Sequence, residues 1–491
     1  MGKFYITTSI AYTNTFPHIG YALELVQADV LARHQEQLGK EVFFLTGTDE
    51  HGAKIARAAK DEGKKLRDFV DLISDEFRQL AKILNISNND FIRTTDRTRH
   101  WPAVVKIWQA LGKAGDLYKA DYHGHYCVGC ERFIKPSELI NGECPLHKQK
   151  PEIIEEENWF FRLTKYKKEV KQKIASGELK ILPASRANEV LGLIADAEDV
   201  SFSRPSKDLK WGIPVPGDST STVYVWADAL TNYLSALDYA NNGEKFQKYW
   251  PADIQLIGKD ILRFHAIIWP TMLLSVGLPL PRSIYVHGFI TVEGEKISKS
   301  LGNVIDPFQL VKKYGVDPVR YYLLREIPSN EDGDFSETKL VERYNGDLAN
   351  NLGNLVSRVA KLIETKLNGE LIFEEKFLNK GVKAKIATVQ AAYEKYIADF
   401  KLHEAIGQVW ELFTYANGYI DGKKPWADPD PTHLLQTLTG SVTLLTAGAK
   451  LVWPFLPETA QKIFAALGQT LISKETVYRV IKTKPLFPRL K

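Results

Sequence analysis

The chain has 491 residues, with 64 Lys and Arg against 60 Asp and Glu and a formal net charge of +4. A length of this order calls for about three domains, and a composition 44% hydrophobic and 25% charged excludes wholesale disorder. No apolar run approaches the roughly 18–20 residues that a membrane span requires. The opening MGKFYITTSIAYTN lacks the charged and apolar regions of a signal peptide, so a cytoplasmic location is expected.

The first segment alternates strand and helix signals. Lys3–Ser9 is a β-rich run. Gly20–Leu38 carries apolar residues at helical spacing (Ala22, Val26, Val30, Leu31) with Gly39 as its cap, and Glu41–Thr46 is a short apolar strand of the kind buried in parallel sheets. This alternation predicts an α/β fold with a doubly wound parallel sheet, in which ligands bind at the carboxyl ends of the strands. Both loops leaving those ends, 12–20 and 47–52, are rich in functional side chains. Between about residues 116 and 210 the alternation breaks, as an insertion into the sheet domain would make it. Strand signals return at Thr222–Val225, Ile254–Ile257 and Ile284–His287. From residue 341 helical periodicity dominates, at Leu348–Leu362, Lys383–Phe400, His403–Ile420, Thr432–Val452 and Glu458–Leu467. The expected division is 1–115 and 211–290 for the two halves of the sheet domain, 116–210 for the insertion, 291–340 for a junction and 341–491 for a helical domain.

Charge is unevenly placed. Residues 341–491 hold 20 Lys and Arg against 15 Asp and Glu, and residues 1–340 hold 44 against 45. The carboxyl-terminal surplus fits a polyanion partner, and it fits a solvated helical surface equally well.

All three cysteines lie in the insertion. Cys127, Cys130 and Cys144 are followed by His147 in the spacing C-x2-C-x13-C-x2-H. An odd count excludes a fully paired disulfide framework. Thiolate and imidazole donors on two such knuckles can converge on one tetrahedral Zn2+, and four protein ligands leave no open position, so the expected ion is structural. Three reduced thiols with unrelated roles are the alternative.

Pro17-His18-Ile19-Gly20 precedes a helix amino terminus, where backbone N–H groups and the helix dipole favour an anion and glycine permits close approach. Far downstream, the loop Gly294–Asn303 (GEKISKSLGN) sets two lysines and two serines between glycines. It suits transient stabilisation of charge on a transferring phosphate. Read alone, it is equally a solvated basic turn.

Together, P-H-I-G and K-I-S-K-S resemble the HIGH and KMSKS signatures of class I aminoacyl-tRNA synthetases. The likeness covers essentially the whole chain. A-Y-T-N (11–14), T-D-E-H-G (48–52), V-S-F-S-R (200–204), W-G-I-P-V-P (211–216), Y-V-W-A-D-A-L-T-N-Y (224–233), G-K-D-I-L-R-F-H (258–265), V-H-G-F-I-T-V (286–292) and K-K-P-W (423–426) resemble the methionyl-tRNA synthetase family. The single four-ligand knuckle matches a bacterial-type form of that family's insertion. One position departs: Tyr21 stands where the signature has a second histidine.

The resemblance implies a Rossmann-like catalytic sheet, interrupted by the zinc-binding insertion and followed by an all-α anticodon-binding helix bundle. It implies a ligase that attaches L-methionine to tRNA(Met), initiator tRNA included, through a methionyl-adenylate, releasing AMP and pyrophosphate; a monomer is expected. ATP, accompanied by Mg2+, would contact Asn14, His18, Gly20, Tyr21, Lys296 and Lys299. Of these, His18, Gly20, Lys296 and Lys299 would carry the catalysis, by positioning and charge stabilisation. Methionine would occupy a pocket of Ile10, Tyr12, Trp226, Leu230, Tyr233, His265 and Trp269, with Asp49 receiving its ammonium group. A polarizable thioether suits aromatic walls and a single donor, and each of these rings taken singly also reads as core packing. Homocysteine, one methyl smaller, would be rejected by only about 1–3 kcal/mol in such a pocket. Asn354 and Arg358, four apart on one helix, and Trp426 would read the anticodon by hydrogen bonding and stacking, or form an ordinary polar helix face with a packed tryptophan. A synthetase-like RNA-binding or regulatory protein without charging activity is the alternative reading.

Overall fold

The computed structural model describes residues 2–130, 132–134, 136–146, 148–207, 209–297, 302–472, 476–481 and 484–490. It divides into two units. The first comprises Met1–Glu24, Gln35–Lys82 and Ser87–His287, and the second Leu25–His34, Ile83–Ile86 and Gly288–Lys491.

A seven-stranded parallel sheet runs through the first unit. Read across, its strands are Asp90–Arg93, Glu41–Asp49, Lys3–Thr8, Ile254–Gly258, Ser283–His287 and Lys180–Leu182. The seventh, Ala11–Tyr12, continues the line of Lys3–Thr8 and pairs Ala11 with Thr48 and Tyr12 with Asp49. To one side of Lys3–Thr8 the chain adds its second and third long strands; on the other its direct neighbour is Ile254–Gly258, with Ile6 beside Ile254. That reversal is a topological switch point, and it opens a crevice outside the carboxyl ends of the strands. Tyr5, Ile6, Phe44, Leu45, Leu256, Ile257, Ile284 and Val286 are buried. Burial of both sheet faces is why these strands read as nearly continuous apolar runs rather than as alternation.

The helix expected over Gly20–Leu38 spans Ile19–Gln37, and the strand expected over Glu41–Thr46 extends to Asp49. One expectation is corrected. The strand signal at Thr222–Val225 does not resume the parallel sheet, because Asp218–Val223 is instead the middle of a separate antiparallel sheet with Ser203–Pro205 and Pro214–Val215. Strand propensity marks a pleated, half-buried surface and says nothing of its partner's direction. Within the segment 116–210, Leu117–Cys127 and Glu152–Phe161 form a long antiparallel ribbon, flanked by Arg132–Ile134 and Val200–Ser201. Lys180–Leu182, in the same segment, is an edge strand of the parallel sheet.

The long segment of the second unit, Gly288–Lys491, opens with a small sheet of Ile290–Val292, Glu295–Lys296 and Gly333–Phe335 and is otherwise chiefly helical. The helices Lys380–Ala398, Leu402–Lys423, Pro431–Val452 and Pro457–Ala466 stand where the periodicity placed them. The start of Pro431–Val452 follows from local chemistry: Asp430 accepts from the N–H of Thr432 at 2.7 Å, with Pro431 in the first helical position. Residues 344–353 form a π-helical stretch leading into the α-helix Asn354–Lys366. Arg320, wholly buried, pairs with Asp29 at 2.7 Å and donates to the carbonyls of Phe455, Leu84 and Pro454. A buried guanidinium is tolerated because its donors are matched in this way. Among the described residues no helix is long and apolar enough to cross a membrane.

Candidate active site

The loop after Lys3–Thr8 delivers His18 and Gly20 to the amino terminus of the helix Ile19–Gln37. The N–H of Gly20 donates to Nδ1 of His18 at 3.1 Å. The neutral ring therefore carries its proton on Nε2, the nitrogen able to donate to an anion. A Cβ at position 20 would lie 2.9 Å from Cε1 of the same ring, which is the local reason for glycine there. Tyr21 packs on His18 with centroids 4.6 Å apart and sits edge-on to Phe77 at 4.9 Å. Burial pushes its phenol pKa up, so the hydroxyl stays protonated. Asn14 lies half-buried in the same loop.

Glu24, one turn along the helix, escaped the sequence reading. Its Oε1 accepts from both N and Oγ of Ser9 at 2.6 Å, and Oε2 lies 3.0 Å from Nε2 of His287. The carboxylate thus ties the end of the first strand to the end of Ser283–His287, across the switch point.

Asp49 closes its strand, and its carbonyl accepts from N and Oγ1 of Thr13 at 3.0 and 3.1 Å, lacing the two loops together. Glu50 is buried, and its carboxylate accepts from Arg93 Nε at 2.5 Å, Arg93 Nη2 at 3.0 Å and Thr48 Oγ1 at 2.8 Å. Such a bidentate pair fixes the carboxylate in both position and orientation. His51 Nδ1 lies 2.7 Å from Asp228 Oδ2, and His100 Nε2 lies 2.7 Å from Asp228 Oδ1. Burial alone would raise the pKa of Asp228, but the charge of His51 and the hydrogen bonds of both imidazoles hold it below the ordinary value.

Of the aromatic residues named for the methionine pocket, Trp226, Tyr233, His265 and Trp269 meet. Trp226, on the helix Val225–Leu230, stacks face to face on Phe264 at 3.7 Å and 4°. His265 stands edge-on to Trp226 at 6.2 Å and to Tyr233 at 5.8 Å, and Trp269 lies 5.9 Å from Tyr233. Ile10, Tyr12 and Trp226 are half-buried, whereas Leu230, Tyr233, His265 and Trp269 are buried. His265 Nδ1 donates to the carbonyl of Ile261 at 3.1 Å, so its Nε2 accepts from the Tyr233 hydroxyl at 2.7 Å. Burial lowers the pKa of His265 to about 4 and keeps the ring neutral. The hydroxyl proton is therefore engaged by the imidazole. Phe264 was missed because it begins a π-helical turn, Phe264–Ile268. Such turns recur at functional sites, and α-helical spacing gives no sign of them.

Lys296 pairs its backbone with Thr291 in the small sheet of the second unit. Its side chain and the whole of Lys299 lie outside the described residues.

In the ribbon, the Sγ atoms of Cys127, Cys130 and Cys144 lie within 4.8 Å of one another, with Cys130 and Cys144 3.6 Å apart. That separation is far beyond the roughly 2 Å of a disulfide and suits thiolates sharing one cation. His147 lies outside the described residues.

In the second unit Arg358 and Trp426 are neighbours, with the guanidinium carbon 5.9 Å from the indole centroid. Arg358 Nη2 also pairs with Asp421 at 2.5 Å. Trp426 is 47% exposed, and Asn354 is exposed one turn before Arg358. Asn417, 3.5 Å from Arg358 Nη1 and donating to Asn351 at 2.9 Å, extends this polar strip. Asn417 and Asp421 come from the next helix but one, and no local pattern marks them.

A switch-point crevice framed by a His18–Gly20 turn, with a helical domain following the sheet, is the architecture of a class I aminoacyl-tRNA synthetase. The model of the family described as tRNA synthetases class I (M) matches residues 4–150 and 130–360. The methionine--tRNA ligase of Thermotoga maritima is 44% identical over 99% of this chain and 80% of its own length, and that of Brucella suis biovar 1 is 42% identical over 95% and 92%. The Mycobacterium tuberculosis methionyl-tRNA synthetase in complex with methionyl-adenylate superposes with a TM-score of 0.94 at 36% identity, covering both chains completely. Its apo form gives 0.87 at 34%. The chain belongs to the methionyl-tRNA synthetase family.

Proposed function

We propose that this protein is a methionine--tRNA ligase. It activates L-methionine with ATP and passes the methionyl group to tRNA(Met), initiator tRNA included. The observation that supports the reading is the His18–Gly20 turn after the first strand together with the bond from His51, two residues beyond Asp49, to Asp228 on the helix that carries Trp226 and its stack with Phe264. Methionine's carboxylate oxygen attacks the α-phosphorus of ATP, and the bond to the departing pyrophosphate breaks. The 2′-hydroxyl of the terminal tRNA adenosine then attacks the activated carbonyl and AMP leaves. Neither step needs a covalent enzyme intermediate, so placement and charge stabilisation suffice.

Asp49 receives the ammonium group and the aromatic wall takes the thioether. His18, Lys296 and Lys299 meet the phosphates, Asn14, Gly20 and Tyr21 complete the nucleotide site, and Mg2+ accompanies ATP. Cys127, Cys130, Cys144 and His147 hold one structural zinc ion. Asn354, Arg358 and Trp426 contact the anticodon. The protein acts in the cytoplasm as a monomer.

Pyrophosphate exchange measured with each standard amino acid tests the assignment. Methionine alone should support it, and tRNA(Met) should then be charged. No exchange with any amino acid would favour an RNA-binding protein without charging activity; exchange with another amino acid would assign a different synthetase.

A further inference from the structure

Asp228 lies wholly buried and gives one carboxylate oxygen to each of two imidazoles, His51 and His100, at 2.7 Å. The second nitrogen of His100 lies 2.9 Å from Ser235 Oγ. An ionised carboxylate only accepts, so His51 carries a proton on Nδ1 and His100 one on Nε2. Each ring comes from a different element. His51 belongs to the loop that carries Asp49, His100 opens the helix His100–Lys113, and Asp228 shares the helix Val225–Leu230 with Trp226. The bonds of Glu50 hold that loop to Arg93, whereas the bond of His51 runs to the helix of the aromatic wall.

We propose that Asp228, acting through His51, is a positioning residue for methionine. It fixes the separation between Asp49, at the ammonium end of the amino acid, and Trp226, at its thioether end, with His100 and Ser235 bracing the carboxylate from behind. A ligand gripped at both ends binds well only if the grips are correctly spaced, and misplacement on the scale of about 1 Å costs a large factor. An apolar core would hold these elements at least as firmly as a buried ion cluster. What the cluster adds is directional bonds that set one spacing. The proposal rests on the methionine reading of the site.

The test is methionine-dependent pyrophosphate exchange with the full chain. A folded wild-type protein without such exchange refutes the reading of the site itself. With an active wild type, Asp228→Asn and His51→Gln should raise the KM for methionine about tenfold or more, while the KM for ATP stays within about twofold. Melting curves report whether each variant is folded. His51→Gln leaves the pair of Asp228 and His100 standing, so it decides the matter if Asp228→Asn does not fold. An unchanged KM for methionine in folded His51→Gln, or equal rises for methionine and ATP, overturns the proposal.

Discussion

Gly20 and His18 constrain each other: the amide of the glycine donates to the imidazole at 3.1 Å, and a Cβ on the glycine would come within 2.9 Å of the same ring. The amide selects the tautomer that presents Nε2–H, and the missing side chain lets the ring lie over the first turn of its helix. Gly20→Ala is expected to push the ring aside and slow adenylate formation about a hundredfold, with little change in melting temperature. Rapid-quench measurement of the first turnover reads this directly. An unchanged rate would remove His18 from the reaction.

His265 predicts a pH dependence. Its pKa lies at about 4 in the folded chain against an ordinary 6.5, so between those values the unfolded chain binds more protons. The contribution to stability is complete above about pH 6.5 and is lost as the pH falls towards 4. Across that window it amounts to about 3 kcal/mol. His265→Gln should flatten this part of the profile, as measured by denaturant unfolding at pH 7 and pH 4.5. Parallel profiles for the two proteins would refute the buried neutral ring.

The clustered thiols predict a single zinc ion per chain, measured by plasma mass spectrometry after growth in metal-replete medium. Cys144→Ser should abolish the zinc. Hydrogen exchange should then accelerate along the ribbon Leu117–Cys127 and Glu152–Phe161 and remain slow in the parallel sheet. Zinc-free wild-type protein would count against the site.

Trp426→Ala should weaken tRNA(Met) binding by about 1–3 kcal/mol, the worth of one stacked base, and leave pyrophosphate exchange intact. Asp421→Asn should act in the opposite direction, because it frees the Arg358 guanidinium from a 2.5 Å ion pair. Equal loss of charging and exchange in Trp426→Ala would argue against an anticodon role.

What the sequence made legible is what lies close along the chain. The three cysteines announce themselves because they fall in one short segment and their thiols cluster, and His18 and Gly20 because two residues make one turn. The helices of the second unit show through their apolar period. Glu24, Asp228 and His100 do not, since their meaning depends on partners such as His287, 263 residues away, and His51, 177 away. The strand Lys180–Leu182 is too short to show a period, and the strand Asp218–Val223 carried no sign that its neighbours run antiparallel. Phe264 opens a π turn, Phe264–Ile268, whose period differs from the helical spacing that a sequence pattern reveals.

The switch point has a consequence in time. Tyr5 and Asp253 are bonded neighbours 248 residues apart in sequence. A ribosome adding about 5–20 residues per second needs roughly ten seconds to a minute to bridge that gap. During the interval Lys3–Thr8 can pair with Glu41–Asp49, but its other side has no strand to meet. A bare, apolar edge of this kind invites pairing with any other chain. The nascent chain, rather than the finished protein, is therefore the species most exposed to aggregation and the one that chaperones must shelter.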